Sequence, residues 1–335
     1  MPGSAGRVVA VLGAEYHPRS TGGLMETFTR TYFGGRVVFG AGTARTALTG
    51  EVGALRVSKV LLLTTKRAEP LARELTAELP VVDVFTGVRE HVPAEVACDA
   101  LDAATRGHVD CLLSVGGGSS TGTAKAVALS MRVPVVAVPT TYAGSEMTPV
   151  WGRTEDGAKR TGHSPDVVPR LVVYDPELTV GLPPAITAAS GMNALAHAVR
   201  GLAADPVTAV IGREAIRVLT AGLPKAVAEQ DRAEACYGAY LAASAFAVAG
   251  SGPHHKLCHA LGGFYGLPHA PTHAVLLPYT AAGEVSGLRE LAERVGAPTS
   301  LRAIGMHDED LADAVERLPA AAGVLAAAYE GRWPA

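Results

Sequence analysis

Asn193 and His197 stand four apart in "GMNALAHAV", and His255 and His259 stand four apart in "HHKLCHALGG". Four residues are a little over one helical turn, so each pair shares a helix face. His269 comes after "ALGGFYGLP", whose glycines and proline read as a turn. The stretch Gly250–Tyr279 alone holds five of the chain's eleven histidines. Imidazoles so spaced can ligate a metal ion, move protons, or donate hydrogen bonds to a developing negative charge. A lone histidine on a helix is more often a core residue satisfied by backbone groups. Four at ligand spacing beside an Asn point to a site.

A second chemical signal lies in "CLLSVGGGSSTGTAKAVAL", a strand, three glycines, two serines and then a helix. Gly116, Gly117 and Gly118 let the backbone approach a ligand closely. Beside Ser119 the helix would aim its free N–H groups and positive end at that ligand, which suits a pyrophosphate. The pattern is neither GxGxxG nor a P-loop. One strand later, "VPTTYAGSEMTP" presents the hydroxyls of Thr140, Thr141 and Ser145. Strand carboxyl ends are where open α/β sheets bind ligands. Either loop alone could be turn chemistry; the two together point to a nucleotide. After "KVLLL" come Thr64, Thr65, Lys66 and Arg67, where an NAD-preferring enzyme commonly carries Asp or Glu. The two cations would tolerate a 2′-phosphate, although they could equally be solvated surface residues.

The elements that must position these residues are legible in outline. A chain of 335 residues, 48% hydrophobic, has material for two domains. "RVVFG", "KVLLLTT", "VVDVFTG", "CLLSVGGGSS", "VPVVAVPTT" and "RLVVYDP" are short apolar runs. Many are separated by Ala-rich helical stretches. Buried strands alternating with helices indicate a Rossmann-like parallel sheet, covered on both faces. From "GLPPAIT" onward Ala and Leu dominate and strand-like runs are scarce. We therefore expect a nucleotide-binding α/β domain over 25–181 and an all-helical domain over 182–335 carrying the histidines, with a ligand cleft between them. Residues 1–24 fit poorly with the rest of the chain and read as a disordered leader or an upstream start, with Met25 opening the folded chain.

A formal net charge of −3 creates no field that would favour nucleic acid. No apolar run reaches the roughly 18 residues of a membrane helix. Cys98, Cys111, Cys236 and Cys258 form no CxxC pair and read as reduced thiols of a cytoplasmic protein.

Six segments carry a resemblance. They are "FGAGT", "VGGGSSTGTAKA", "PTTYAGSEMTPVWG", "YDPELT", "GMNALAHAV" and "HHKLCHALGG" with the subsequent "LPHAPTHAVLLP". From about Arg36 to the C-terminus the chain resembles the iron-containing alcohol dehydrogenase family, and within it the maleylacetate reductase branch. The resemblance implies a dehydroquinate synthase-like two-domain architecture, NADH or NADPH as cofactor, a small dicarboxylate substrate and a homodimer. The implied reaction, part of aromatic-compound catabolism, is reduction of maleylacetate or a substituted relative to 3-oxoadipate. It implies a cofactor set of Gly40, Gly116, Gly117, Gly118, Ser119, Thr140, Thr141, Ser145 and Lys159. Metal-binding members use one Asp and three His, and those places fall on Asn193, His197, His255 and His269. A neutral amide is a much poorer partner for a hard dication than a carboxylate. We therefore expect a degenerate metal site and no required metal, although three histidines and a water can still hold zinc. Catalysis would then fall to Asn193, His197, His255, His259 and His269 as N–H donors, imidazolium ions and proton donors. His254 and Lys256 would attract the substrate's carboxylates. Two features depart from the family: about one helical hairpin is missing after Tyr279, and Arg200 stands where Glu is frequent. The rival readings are a metal-dependent alcohol dehydrogenase, against which Asn193 argues, and a divergent cofactor-binding protein without turnover.

Overall fold

Six apolar runs do form one sheet. The computed structural model describes residues 28–32, 35–155, 158–281 and 283–333. The leader assigned to 1–24 lies outside them. The strands are β1 (Phe28–Tyr32), β2 (Gly35–Phe39), β3 (Val60–Leu63), β4 (Val81–Phe85), β5 (Cys111–Gly116), β6 (Val135–Pro139), β7 (Val150–Glu155), β8 (Ala158–His163) and β9 (Leu171–Tyr174). Seven of them make a sheet of order β1-β2-β9-β6-β5-β3-β4. β1 pairs antiparallel with β2, and every other pairing in the sheet is parallel. The helices of this half are α1 (Thr43–Thr46), α2 (Leu48–Ala54), α3 (Glu69–Leu75), α4 (Ala94–Arg106) and α5 (Gly118–Met131).

Alternate strand residues feed opposite faces. Leu62, Leu113 and Val136 pack against Leu48, Val52 and Leu75 on one side. Leu61, Leu63 and Leu112 pack against Ala100, Ala104, Ala124 and Val127 on the other. Each of the strand leucines is fully buried, which stabilises the fold by roughly 1.5–3 kcal/mol per side chain.

From Pro184 onward every regular element is helical: α6 (Pro184–Leu202), α7 (Pro206–Ala228), α8 (Ala233–Ala249), α9 (Pro253–Tyr265), α10 (His269–Thr280), α11 (Leu288–Arg294), α12 (Asp308–Arg317) and α13 (Ala322–Glu330). The helices join the sheet through an apolar cluster that mixes Phe39 and Tyr174 with residues of α6, α7 and α8. Tyr237 meets Phe39 edge-on at 5.7 Å, and Tyr240 meets Tyr174 at 5.4 Å. Ring contacts of this kind hold two layers in fixed register.

One element escaped the sequence reading. Strands β7 and β8 form an antiparallel hairpin apart from the main sheet. Its signal was present as Asp156-Gly157 between two runs of strand-compatible residues.

Candidate active site

The glycine loop ends β5 and starts α5. Gly116 has φ 150°, and a Cβ there would lie 2.4 Å from Ser120 Oγ. Only glycine fits that turn. Gly117 precedes the first turn of α5, and no side chain caps the helix. Its leading N–H groups are thus left for a ligand. Thr140 N–H donates to Gly116 O at 2.9 Å, which ties the second polar loop to the first.

Lys125 extends that tie. It is fully buried on α5, and its Nζ donates to Ser145 O (2.9 Å), Thr148 O (2.7 Å) and Thr148 Oγ1 (3.1 Å). Burial pulls its ammonium down to about 7, opposed by the charge of nearby Glu146. Glu146 is itself buried, accepts a hydrogen bond from Tyr174 at 2.7 Å, and is raised above the usual carboxylate range by desolvation. Neither residue was singled out from sequence, because nothing local marks a lysine as buried.

The 140–148 loop then touches the helices. Gly144 has φ 80°, and a Cβ there would stand 2.8 Å from His197 Nδ1. This close approach brings α6 against the loop and closes a cleft of about 310 Å³. Gly118, Ser119, Thr141 and Ser145 line it from the sheet side; Asn193, His197, His255, His259 and His269 line it from the helices. Trp151 and Thr161 of the hairpin form a further wall.

Several expected residues stand elsewhere. Gly116, Gly117 and Thr140 support the cleft without lining it. Gly40 ends β2, separated by β9 and β6 from the glycine loop, and donates its N–H to Tyr174 O. Lys159 lies on β8 opposite Thr154; its side chain is outside the described residues. His254 and Lys256, expected to attract the substrate's carboxylates, also stand elsewhere. Both border a second cavity, of about 820 Å³, and neither lines the cleft. The reason is helical phase. His255 and His259 lie four apart and share the cleft face of α9, while residues one position away point about 100° around the helix. The same second cavity is bordered by Arg200 and by Tyr279, Thr280 and Glu284, where the chain reads as shortened.

His197 stacks on His255 at 5.1 Å, and both stack on Phe246, at 4.3 and 4.6 Å. Burial drives His197 down to about 3, helped by charge at His254 and His259. Burial also holds His255 well below its ordinary value, with smaller contributions from neighbouring histidines. Burial thus disfavours the expected imidazolium at both positions. His259 and His269 are less enclosed and face each other at 5.6 Å.

His273 was missed. It is fully buried and sits 4.5 Å from the His269 ring and 4.8 Å from His255. The readable signal was its spacing, four residues after His269 on α10.

The place of the family's metal does not fit one here. Its acidic position is the neutral Asn193, whose Oδ1 is buried without a hydrogen-bond partner. Among the described residues, the imidazoles that converge within 4.8 Å are His259, His269 and His273; His197, His255 and His269 make no such group.

Comparison with known proteins accounts for the arrangement. The family description "Iron-containing alcohol dehydrogenase" matches residues 34–176, and "Fe-containing alcohol dehydrogenase family, C-terminal" matches 187–286. Maleylacetate reductase 1 of Cupriavidus pinatubonensis is 42% identical over 316 residues, covering 86% of this chain and 89% of that protein. The crystal structure of maleylacetate reductase from Rhizobium sp. superposes with a TM-score of 0.82 at 38% identity, over 93% of this chain and 100% of the other. The iron-containing alcohol dehydrogenase structure from Corynebacterium glutamicum gives 0.84 at 41% identity, over 92% and 98%. With both halves matched and the sheet, cleft and histidine helices in place, the chain belongs to the iron-containing alcohol dehydrogenase family.

Proposed function

We propose that this protein is an NAD(P)H-dependent reductase of maleylacetate or a substituted relative, forming 3-oxoadipate. The observation that carries the reading is identity of about 40% to several maleylacetate reductases over more than four-fifths of the chain. Cofactor binding is assigned to 25–181 and substrate chemistry to 182–335. The glycine loop, Ser119, Thr141 and Ser145 would hold the cofactor's phosphates and adjoining groups. Reduced nicotinamide supplies a hydride when bound. The chain's own residues must then accommodate negative charge on the enolate oxygen and deliver a proton to the neighbouring carbon. Neutral His197 and His255 suit hydrogen-bond donation to that oxygen. His259 and His269, which are less enclosed, suit proton transfer. No Lys or Arg side chain lines the cleft among the described residues. The substrate's carboxylates would therefore meet imidazoles and hydroxyls, Ser190 and Ser251 among them. We take the enzyme to act in the cytoplasm as a homodimer, the first on its free cysteines and the second on its family. Among the described residues no helix is long and apolar enough to cross a membrane.

The direct test is turnover. Purified protein with maleylacetate should consume NADPH at a rate at least comparable to NADH, because Lys66 and Arg67 are exposed just beyond β3 and no carboxylate stands between Thr64 and Arg67. A preference for NADH above about a hundredfold, roughly 2.7 kcal/mol, would overturn the cofactor reading. No oxidation of either cofactor would overturn the function.

Metal dependence is tested separately. Activity is expected to survive thorough treatment with a chelator. Asn193→Asp is expected to bind Mn²⁺ at least tenfold more tightly than the native chain, because it restores one negative charge beside neutral imidazoles. Loss of activity on chelation, with recovery on adding iron or zinc, would instead make a bound cation the electrophile.

A further inference from the structure

A second cluster of metal-ligating side chains lies behind the cleft histidines. His254 Nε2 is 2.9 Å from His273 Nδ1 and 3.7 Å from Cys258 Sγ. Ligand atoms of the three residues all lie within 4.8 Å of one another. A tetrahedral zinc ion, with Zn–N near 2.0 Å and Zn–S near 2.3 Å, places two nitrogens about 3.3 Å apart and a sulfur and a nitrogen about 3.5 Å apart. The two nitrogens must separate slightly to admit an ion, while the sulfur–nitrogen spacing already suffices.

The surroundings favour one pair of tautomers. Thr280 Oγ1 contacts His254 Nδ1 at 2.7 Å and two carbonyls of its own helix, Leu276 O at 3.0 Å and Leu277 O at 3.3 Å; with its one hydrogen on a carbonyl it accepts from His254 Nδ1–H. In that tautomer His254 is Nδ1–H, and its Nε2 lone pair faces His273 Nδ1 and Cys258 Sγ. Without an ion, His273 Nδ1–H donates to that lone pair at 2.9 Å, with Cys258 Sγ 3.7 Å away. His273 Nε2 is then left buried without a partner. Such an orphan is costly. His254 and Thr280 border the 820 Å³ cavity, which provides an entry path.

We propose that His254, Cys258 and His273 form a binding site for a soft d¹⁰ cation, with Zn²⁺ as its type, distinct from the family's metal position. Binding releases the Cys258 proton to solvent and moves the His273 proton from Nδ1 to Nε2. The new Nε2–H lies on the ring that makes its own group with His259 and His269. A zinc ion on the far side of the wall thus alters the imidazoles that line the cleft.

The site itself does not depend on the reductase reading, and its first test needs no turnover. Chelator-stripped protein titrated with Co²⁺ should bind one equivalent with a thiolate-to-cobalt charge-transfer band in the near ultraviolet. Cys258→Ala and Cys258→Ser should lose the band and weaken binding at least tenfold. Binding without the band, no binding, or a band that persists in either folded variant overturns the site, the first because it places cobalt on the sulfur-free group of His259, His269 and His273. Among the described residues no other cysteine belongs to such a group, so the wild-type spectrum decides if neither variant folds. The coupling rests on the reductase reading: one equivalent of Zn²⁺ should lower turnover at least tenfold in the native protein and less than twofold in Cys258→Ala. Native turnover that zinc leaves unchanged would overturn the coupling while leaving the site standing.

Discussion

His259→Gln is expected to lower kcat by two to four orders of magnitude while leaving cofactor binding intact. That range is the usual contribution of a positioned general acid, about 2.7–5.5 kcal/mol of barrier. The choice of His259 rests on its surroundings. Burial disfavours the protonated form of His197 and His255. His259 lines the cleft, is less enclosed, and faces His269 at 5.6 Å, so a proton can reach it from the cleft side. Glutamine keeps much of the side-chain volume and a hydrogen-bond donor but cannot relay a proton. Steady-state kinetics with a deuterated nicotinamide would check the assignment. With proton delivery slowed, the solvent isotope effect should grow and the hydride isotope effect should shrink. A fall in kcat below tenfold would move the proton donor elsewhere, with His269 the next candidate. Removing both histidines should cost little more than removing one if they act as a unit.

Gly117→Leu is expected to weaken NADH and NADPH binding more than a hundredfold, at least about 2.7 kcal/mol. Gly117 is a better probe than Gly116. Its φ of −82° is one that any residue can adopt, so the fold should tolerate the change. A Cβ there would lie 3.2 Å from the Thr141 side chain, and the rest of a leucine would intrude where a phosphate must approach the N-terminus of α5. Gly116→Ala would confound the result, because its Cβ would collide with Ser120 and disturb the loop itself. Fluorescence titration of reduced nicotinamide, with circular dichroism to verify the fold, gives the answer. Unchanged affinity in a folded variant would remove the cofactor from this loop.

Sequence by itself determined the alternation of strands and helices, because a strand buried on both faces must be apolar throughout and a packed helix must repeat near 3.6 residues. It also located the turn between β5 and α5 and the helical pairs Asn193/His197 and His255/His259. It showed the loss of a carboxylate at Asn193, since a charge is a property of one residue.

Only the tertiary structure decided which face of α9 meets the cleft. Spacing states that His255 and His259 share a side and that His254 and Lys256 do not, but the packing of α9 against α10 and β8 chooses between the sides. Burial was equally out of reach. The neutrality of His197 and His255, the enclosure of Lys125 and Glu146, and the place of His273 between two groups of ligating atoms all arise from neighbours far away in the chain. Desolvation sums over everything that surrounds a group, and no local pattern of residues encodes that sum.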